Sequence, residues 1–183
     1  MTQDFSSPNA PSCCCLVAVV VSYNRLDKLQ VTLARLLDSP AGELAQVVVA
    51  DNASTDGTGD WLAVQDDPRL DILYSAHNIG GAGGFDRGMR HAMKNHDPDW
   101  LVLMDDDGRP APGALTAFHA LPLQDWDALA AAVYFPNGEI CEMNRPSRNQ
   151  FWNRHRLWQT IRKGRNGFHI PHSAYEGSTC AID

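Results

Sequence analysis

The chain has 183 residues, of which 44% are hydrophobic and 20% charged, a balance that excludes wholesale disorder and allows a single domain with a proper core. Its 15 basic and 22 acidic side chains give a formal net charge of −7, which argues against a nucleic-acid-binding protein. The longest apolar run, residues 13–21, is far shorter than the roughly 20 residues of a membrane-spanning helix and follows no basic region, so we expect neither an anchor nor a signal peptide.

Apolar runs and helical stripes alternate along the chain. Residues 1–12, rich in Ser, Pro and Asn, are typical of a disordered tail. Short apolar runs predict four buried strands, at 16–21, 46–50, 71–74 and 100–104. Stripes at helical spacing predict intervening helices, at 26–37, around 60–65, from Phe85 onward and near 114–120. This order predicts an α/β fold with a mainly parallel sheet flanked by helices, with ligands bound at the carboxyl ends of the strands.

Three consecutive carboxylates, Asp105, Asp106 and Asp107, follow the fourth predicted strand. Like charges ~4 Å apart repel by about 1 kcal/mol even in water, and a hard divalent cation would relieve that repulsion. A solvated acidic turn is the common alternative for an aspartate triplet. The position at a strand end favours an Mg²⁺ or Mn²⁺ site here.

A glycine-rich stretch at 77–84 precedes the predicted helix at Phe85 and is expected to form a loop. Glycines before a helix let backbone N–H groups approach an anion, which the helix N-terminus also attracts. Arg87 could then reach a phosphate or pair with an aspartate of the triplet. The alternative is a flexible loop with an N-cap. The spacing fits neither a P-loop nor a dinucleotide-binding fingerprint.

Polar groups also follow the first two strands, with Tyr23 and Asn24 after one and the Asp51–Asp56 stretch after the other. An aromatic ring beside amide and carboxylate groups can stack on a base and bond the ribose hydroxyls. Two structural alternatives stay open. Asn24 could cap a helix with Asp27 at its third position, and Ser54 or Thr55 could cap the next one.

These motifs occur in an order that resembles family 2 glycosyltransferases of GT-A fold. The motifs are Val-Val-Val-Ser-Tyr-Asn-Arg, Asp-Asn-Ala-Ser-Thr-Asp-Gly, Asn-Ile-Gly-Gly-Ala-Gly-Gly-Phe and Leu-Met-Asp-Asp-Asp-Gly. The last two most resemble the galactofuranosyltransferase and rhamnosyltransferase branch. The resemblance covers roughly residues 16–135.

The resemblance implies a role for each matching position. Donor-binding residues would be Tyr23, Asn24 and Asp51 at the nucleobase, Asp56 on the nucleoside, Gly81, Ala82, Gly83 and Gly84 against the ribose and diphosphate, and Asp106 near the ribose or donor sugar, with Arg87 as the candidate phosphate ligand. Asp105 and Asp107 would hold Mn²⁺ or Mg²⁺. The implied reaction moves a sugar, with galactofuranose or rhamnose favoured, from a nucleoside-diphosphate sugar to a glycan or lipid-linked acceptor, with inversion. A UDP-sugar is favoured as the donor and a dTDP-sugar is the alternative.

Family members place the catalytic base in an acidic cluster beyond the metal motif. No such cluster is recognisable in this sequence, so no residue is assigned as the base. We expect residues 13–135 to form the donor-binding half and residues 136–183 to begin the acceptor side, with the base beyond Asp183. A non-catalytic nucleotide-sugar-binding module, or an inactive fragment, is an alternative function. A sugar-nucleotide pyrophosphorylase is a weaker one, since that class needs a glycine-rich basic loop after the first strand.

Localisation rests on two weaker patterns. Five cysteines without a C-x-x-C pair indicate reduced thiols and a cytoplasmic protein. The basic stretch 145–165, with its interleaved aromatic residues, would allow contact with the inner face of a membrane or with an anionic acceptor, although a surface helix explains it as well.

Overall fold

The computed structural model describes residues 14–141 and 179–182. The predicted tail at 1–12, the basic stretch 145–165 and most of the predicted acceptor side lie outside the described residues. Among those that are described, no helix combines the length and apolar character that crossing a membrane requires.

Strands and helices alternate through the first half of the chain. The strands are β1 (Leu16–Ser22), β2 (Gln46–Asp51), β3 (Leu70–Tyr74) and β4 (Trp100–Asp105), and the helices are α1 (Leu26–Leu37), α2 (Thr58–Ala63) and α3 (Gly80–Asn95). The second half adds β5 (Gly108–Pro110), α4 (Ala114–His119), a short 3₁₀ turn (Leu123–Asp125), β6 (Ala132–Tyr134) and β7 (Thr179–Ile182). The four predicted strands are therefore confirmed to within a residue at each end.

The main sheet has four parallel strands in the order β3-β2-β1-β4. A smaller sheet has the order β5-β7-β6, in which β5 pairs antiparallel and β6 parallel with β7. The parallel α/β sheet predicted from the sequence is confirmed. Residues 179–182 form a further strand, β7, in the smaller sheet.

All seven residues of β1 are buried, because helices cover both faces of the sheet. Alternate residues point to opposite faces. Ala18 and Val20 pack with Leu29 and Leu33 of α1, whereas Val17 and Val19 pack on the side of α3. This double cover explains why β1 reads as a continuous apolar run.

Helix α3 lies unusually close to β1. A Cβ built at Gly84 would meet Val21 Cγ1 at 2.6 Å, and one at Gly88 would meet Val19 Cγ1 at 2.5 Å. Neither distance is compatible with a side chain, so these two glycines allow the helix to pack directly on the strand. Packing thus accounts for part of the glycine content that the sequence suggested was for anion binding.

Candidate functional site

The polar residues predicted to carry chemistry follow strands that end at one edge of the sheet. In the β1–β2 register Ser22 pairs with Asp51, and in the β2–β3 register Asp51 pairs with Tyr74. On the other side of β1, Val21 pairs with Asp105, the last residue of β4. Parallel strands therefore bring the motifs of three distant stretches of sequence to a common carboxyl edge.

The three aspartates at the end of β4, of which Asp105 is its last residue, differ sharply in environment. The side chain of Asp105 is exposed, that of Asp107 is 25% exposed, and Asp106 is 4% exposed. Asp106 is anchored by a hydrogen bond from Ser22 Oγ (2.9 Å) to its carboxylate and one from Thr32 Oγ1 (2.7 Å) to its carbonyl. The inner aspartate therefore belongs to the framework of the edge, while its two neighbours face outward.

Arg25 is the residue that the sequence analysis missed. Its Nη1 lies 2.7 Å from Asp107 Oδ2 and 3.5 Å from Asp106 Oδ1, with the side chain 55% exposed. A guanidinium thus neutralises part of the charge that three adjacent carboxylates accumulate. The signal in the sequence was its place next to Asn24 in the motif after β1.

Arg87, the residue expected near the triplet, makes a different contact. Its Nη1 donates to Ser75 Oγ at 2.7 Å, in the loop after β3. The prediction that Arg87 pairs with an aspartate of the triplet is therefore wrong, because α3 presents this side chain toward β3. Its suggested contact with a phosphate stays a prediction.

Burial of Asp106 has an electrostatic consequence. Desolvation raises the pKa of the Asp106 carboxyl, and neighbouring Asp107 raises it further. The hydrogen bond from Ser22, the charge of Arg25 and a backbone bond at Tyr23 oppose this without reversing it. The pKa of Asp106 is therefore above its ordinary value.

Asn24 and Asp56 connect the loops at the ends of β1 and β2. Asn24 has a positive φ of 53°, and its Oδ1 accepts the Thr55 N–H at 2.7 Å. Asp56 accepts the N–H of Leu26 at 3.0 Å and both the N–H and the hydroxyl of Thr58, at 3.1 and 2.6 Å. These two side chains therefore hold together the two loops that would surround a nucleoside.

The helix-capping roles that the sequence suggested for Asn24 and for Ser54 or Thr55 are wrong. The N-cap of α1 is Arg25 and that of α2 is Gly57, which has a φ of 92°, and neither makes a side-chain capping bond. The caps are supplied from outside each helix by Asp56. Tyr23, in the loop between β1 and α1, is 45% exposed, so a face of its ring is available for stacking.

Asp51 and its neighbour Asn52 are buried at the end of β2, with exposures of 4% and 2%. Asp51 Oδ1 accepts the N–H of Ser54 at 3.1 Å. Asn52 reaches across the edge, where its Oδ1 accepts the Ile79 N–H at 2.9 Å and its Nδ2 donates to Asn78 Oδ1 at 2.9 Å. Asn52 therefore positions the start of α3, a role that the sequence did not reveal.

The glycine-rich stretch is mostly helix, so the prediction of a loop through Gly84 is wrong. Helix α3 begins at Gly80, whose φ of 75° only glycine adopts easily, and its carbonyl accepts a bond from Asn52 Nδ2 at 3.2 Å. Gly81 and Ala82 are exposed in the first turn, and a Cβ at Gly81 would have nothing within 4 Å. The N–H groups of this first turn therefore lie at the edge that carries Asn52.

The chain matches known proteins over most of its described length. A sequence model with the description "Glycosyl transferase family 2" matches residues 17–179. An undecaprenyl-phosphate mannosyltransferase of Micrococcus luteus is 35% identical over 102 residues, covering 55% of this chain and 41% of that protein. Galactofuranosyltransferase GlfT1 of Mycobacterium tuberculosis is 32% identical over 142 residues, covering 73% of this chain and 42% of that protein.

A solved structure shows the same architecture. It is a mannosyltransferase from Pyrobaculum calidifontis in complex with GDP-Man and Mn²⁺, with a TM-score of 0.51 and 26% identity, over 72% of this chain and 38% of that one. The chain thus spans about two fifths of the length of these three relatives.

Proposed function

Because this chain belongs to glycosyl transferase family 2 and has the GT-A-type fold, we propose that it forms the donor-binding half of a glycosyltransferase. The enzyme would move a sugar from a nucleoside diphosphate to a glycan or a lipid-linked acceptor, with inversion at the anomeric carbon. The observation that carries the proposal is the grouping of the Tyr23–Asn24 loop, Asp51 and the aspartate triplet at one carboxyl edge. Relatives of this chain transfer galactofuranose or mannose by name, which supports a hexosyl donor.

The nucleoside would occupy the space between the loops after β1 and β2. Tyr23 offers an exposed ring for stacking, and Asp51 offers a buried carboxylate that can accept hydrogen bonds from a base or a ribose. Asn24 and Asp56 are already engaged in joining the two loops. Their contribution to donor binding would therefore be chiefly to hold these two loops together at a fixed distance, with direct contacts added on binding.

The diphosphate would lie against the first turn of α3. Helix N-termini bind anions through their free N–H groups and the helix dipole, and Gly81 to Gly84 keep this turn free of bulky side chains. Arg87, one turn further along and half-buried, could turn from Ser75 toward a phosphate.

The metal ligands that this edge offers are carboxylate oxygens, which fit Mn²⁺ or Mg²⁺. Asp105 and Asp107 would hold the ion, since both are carboxylates on the outer side of the turn and hard cations prefer such oxygens. When bound, the ion would stabilise the negative charge of the departing nucleoside diphosphate. The ion pair between Arg25 and Asp107 supports this assignment, because it shows that the Asp107 carboxylate already has a positive charge beside it. Asp106, held by Ser22, would bond the ribose or the donor sugar.

Binding of nucleoside diphosphates tests this proposal directly. We expect calorimetric titration of UDP to show binding that requires Mn²⁺ and disappears in EDTA. Titrations with dTDP and GDP then identify the preferred base, with UDP favoured. Binding of none of the three in the presence of Mn²⁺ would contradict the assignment of this edge as a donor site.

A substitution at Asp51 tests the proposed nucleoside pocket. Replacing Asp51 by Ala is expected to weaken UDP binding by about 1–3 kcal/mol, the usual effect of losing a buried hydrogen-bonding group. Asp66→Ala, an exposed position in the α2–β3 connection, is the matched control and should bind UDP as the wild type does. Unchanged affinity in Asp51→Ala would leave Asp51 a structural residue.

A further inference from the structure

A second group of ligand-bearing side chains lies at the opposite edge of the sheet from the donor site. Asp71 is the second residue of β3, His91 is in the last part of α3, and His96 directly follows that helix. Since α3 begins at the carboxyl edge and runs back across the sheet, its end lies near the beginning of β3. The sequence analysis gave none of these three residues a role.

The three side chains converge on one point. The Nε2 atoms of His91 and His96 lie 2.6 and 2.8 Å from the same oxygen, Oδ2 of Asp71. All three ligand atoms are within 4.8 Å of one another. The side chains are 27%, 18% and 28% exposed for His91, His96 and Asp71, so the group is sheltered on one side and open to solvent on the other.

The positions of these residues are set by regular structure. Asp71 sits in a strand that is paired with β2, opposite Val48. His96 is the C-cap of α3, and its N–H donates to Ala92 O at 2.9 Å. Ligands on a strand and a helix end keep their spacing without a bound ion, which lowers the entropy lost when an ion binds.

Two imidazole nitrogens and one carboxylate oxygen form a ligand set that zinc uses, with an open fourth position for water. Tetrahedral coordination at Zn–N distances of ~2.0–2.1 Å separates ligand atoms by about 3.3 Å. The present separations from Oδ2 are 2.6 and 2.8 Å, so small side-chain rotations would admit an ion. The side-chain Nδ2 of Asn95 lies 3.1 Å from Nδ1 and 3.0 Å from Nε2 of His91, so this amide borders the site.

We propose that Asp71, His91 and His96 form a binding site for a borderline divalent metal, Zn²⁺ above all, separate from the donor-site aspartates. On binding of the ion through Nε2, each imidazole would give up its Nε2 proton, either to its own Nδ1 by tautomerisation or to solvent. It would link the end of α3 to the edge strand β3. The proposal is independent of the proposed function, since it involves no residue of the donor edge.

Zinc titration of chelator-treated protein, without nucleotide, tests the site. We expect His91→Gln/His96→Gln to bind one equivalent of Zn²⁺ fewer than the wild type. Gln keeps a side-chain N–H that can donate to Asp71, so this double variant removes the ligands while sparing the hydrogen bonds. His77→Gln, at an exposed histidine outside the group, is the matched control and should keep the wild-type stoichiometry. Equal stoichiometry in the double variant and the wild type would overturn the proposal.

Cobalt provides a second readout that does not depend on a double substitution. Co²⁺ in a four-coordinate site with two nitrogen ligands gives visible absorption bands, and Asp71→Asn is expected to change those bands and weaken Co²⁺ binding at least ~tenfold. Asp105→Asn/Asp107→Asn should leave the bands intact, because the carboxylates of the donor edge supply no nitrogen ligand. Unchanged bands in Asp71→Asn, or their loss in the donor-edge variant, would overturn the assignment.

Discussion

The guanidinium of Arg25 lies 2.7 Å from the carboxylate of Asp107, although the two residues are 82 positions apart in the chain. This contact joins the loop after β1 to the turn after β4 across the carboxyl edge. It places a protein cation on one of the two aspartates proposed to hold the metal ion. Arginine and metal ion would therefore compete for the same carboxylate.

That competition predicts the effect of removing the arginine. In Arg25→Ala, Mn²⁺ binding without nucleotide should tighten severalfold, because Asp107 loses its competing partner. Electron paramagnetic resonance of free Mn²⁺ measures the affinity. Arg90→Ala removes a comparable exposed pair with Asp86 on α3, and its Mn²⁺ affinity should match the wild type. Weaker Mn²⁺ binding in Arg25→Ala would show that the arginine organises the metal site rather than competing with it.

Loss of Asp107 itself should abolish metal-dependent nucleotide binding. Asp107→Ala removes one of two carboxylate ligands, and Mn²⁺ is not expected to be held by Asp105 alone. Calorimetry with UDP, with and without Mn²⁺, measures the dependence, and Asp66→Ala serves again as the exposed control. If UDP binding by Asp107→Ala still required Mn²⁺, the metal assignment would be wrong.

The close packing of α3 on β1 predicts that alanine substitutions at two glycines of this helix have different effects on stability. Gly88→Ala should destabilise the fold by about 1–3 kcal/mol, since the new Cβ would lie 2.5 Å from Val19 Cγ1 in a strand that cannot move. Gly81→Ala, with open space around its Cβ, should be neutral or slightly stabilising. Urea unfolding followed by circular dichroism measures both, and equal stabilities would contradict the packing role of Gly88.

The lowered pKa of the Asp56 carboxyl predicts that the stability of the fold depends on pH. Partial burial raises the pKa of this carboxyl, but hydrogen bonds from the Thr58 hydroxyl and from the Leu26 and Thr58 N–H groups outweigh that effect and hold the pKa below 3.8. A lowered pKa means that the ionised carboxylate stabilises the folded state above that pH, and that this contribution is lost as the pH falls through the folded value. The free energy of unfolding of Asp56→Asn should therefore be lower than that of the wild type at pH 7.

The gap between Asp56→Asn and the wild type should narrow as the pH falls below about 3.8. Urea unfolding at a series of pH values measures it. The side chain of Asp66 is exposed, so Asp66→Asn should show a much smaller gap at every pH. A gap in Asp56→Asn that stays constant down to the acid limit would exclude the carboxylate as its source.

The α/β class, the four parallel strands and the edge at which the chemistry is expected could all be predicted from the amino-acid sequence. These features follow from local patterns: apolar runs such as the one in β1 require burial on both faces, and polar residues placed directly after a strand must lie at its end. For the same reason the sequence alone predicts that the aspartate triplet and the Asp51 loop lie at the same edge.

The side chains that contact one another at that edge and elsewhere depend on the three-dimensional packing and could not be predicted. Arg25 rather than Arg87 faces the triplet, because the direction of a side chain depends on how its loop or helix docks. The glycine-rich stretch becomes helix because Asn52, far back in the chain, bonds the groups at its start, while β1 leaves no room for side chains on it. Likewise, Asp71 and His96 are 25 residues apart and share no motif. Contacts of this kind depend on the packing of whole elements, and no local spacing encodes them.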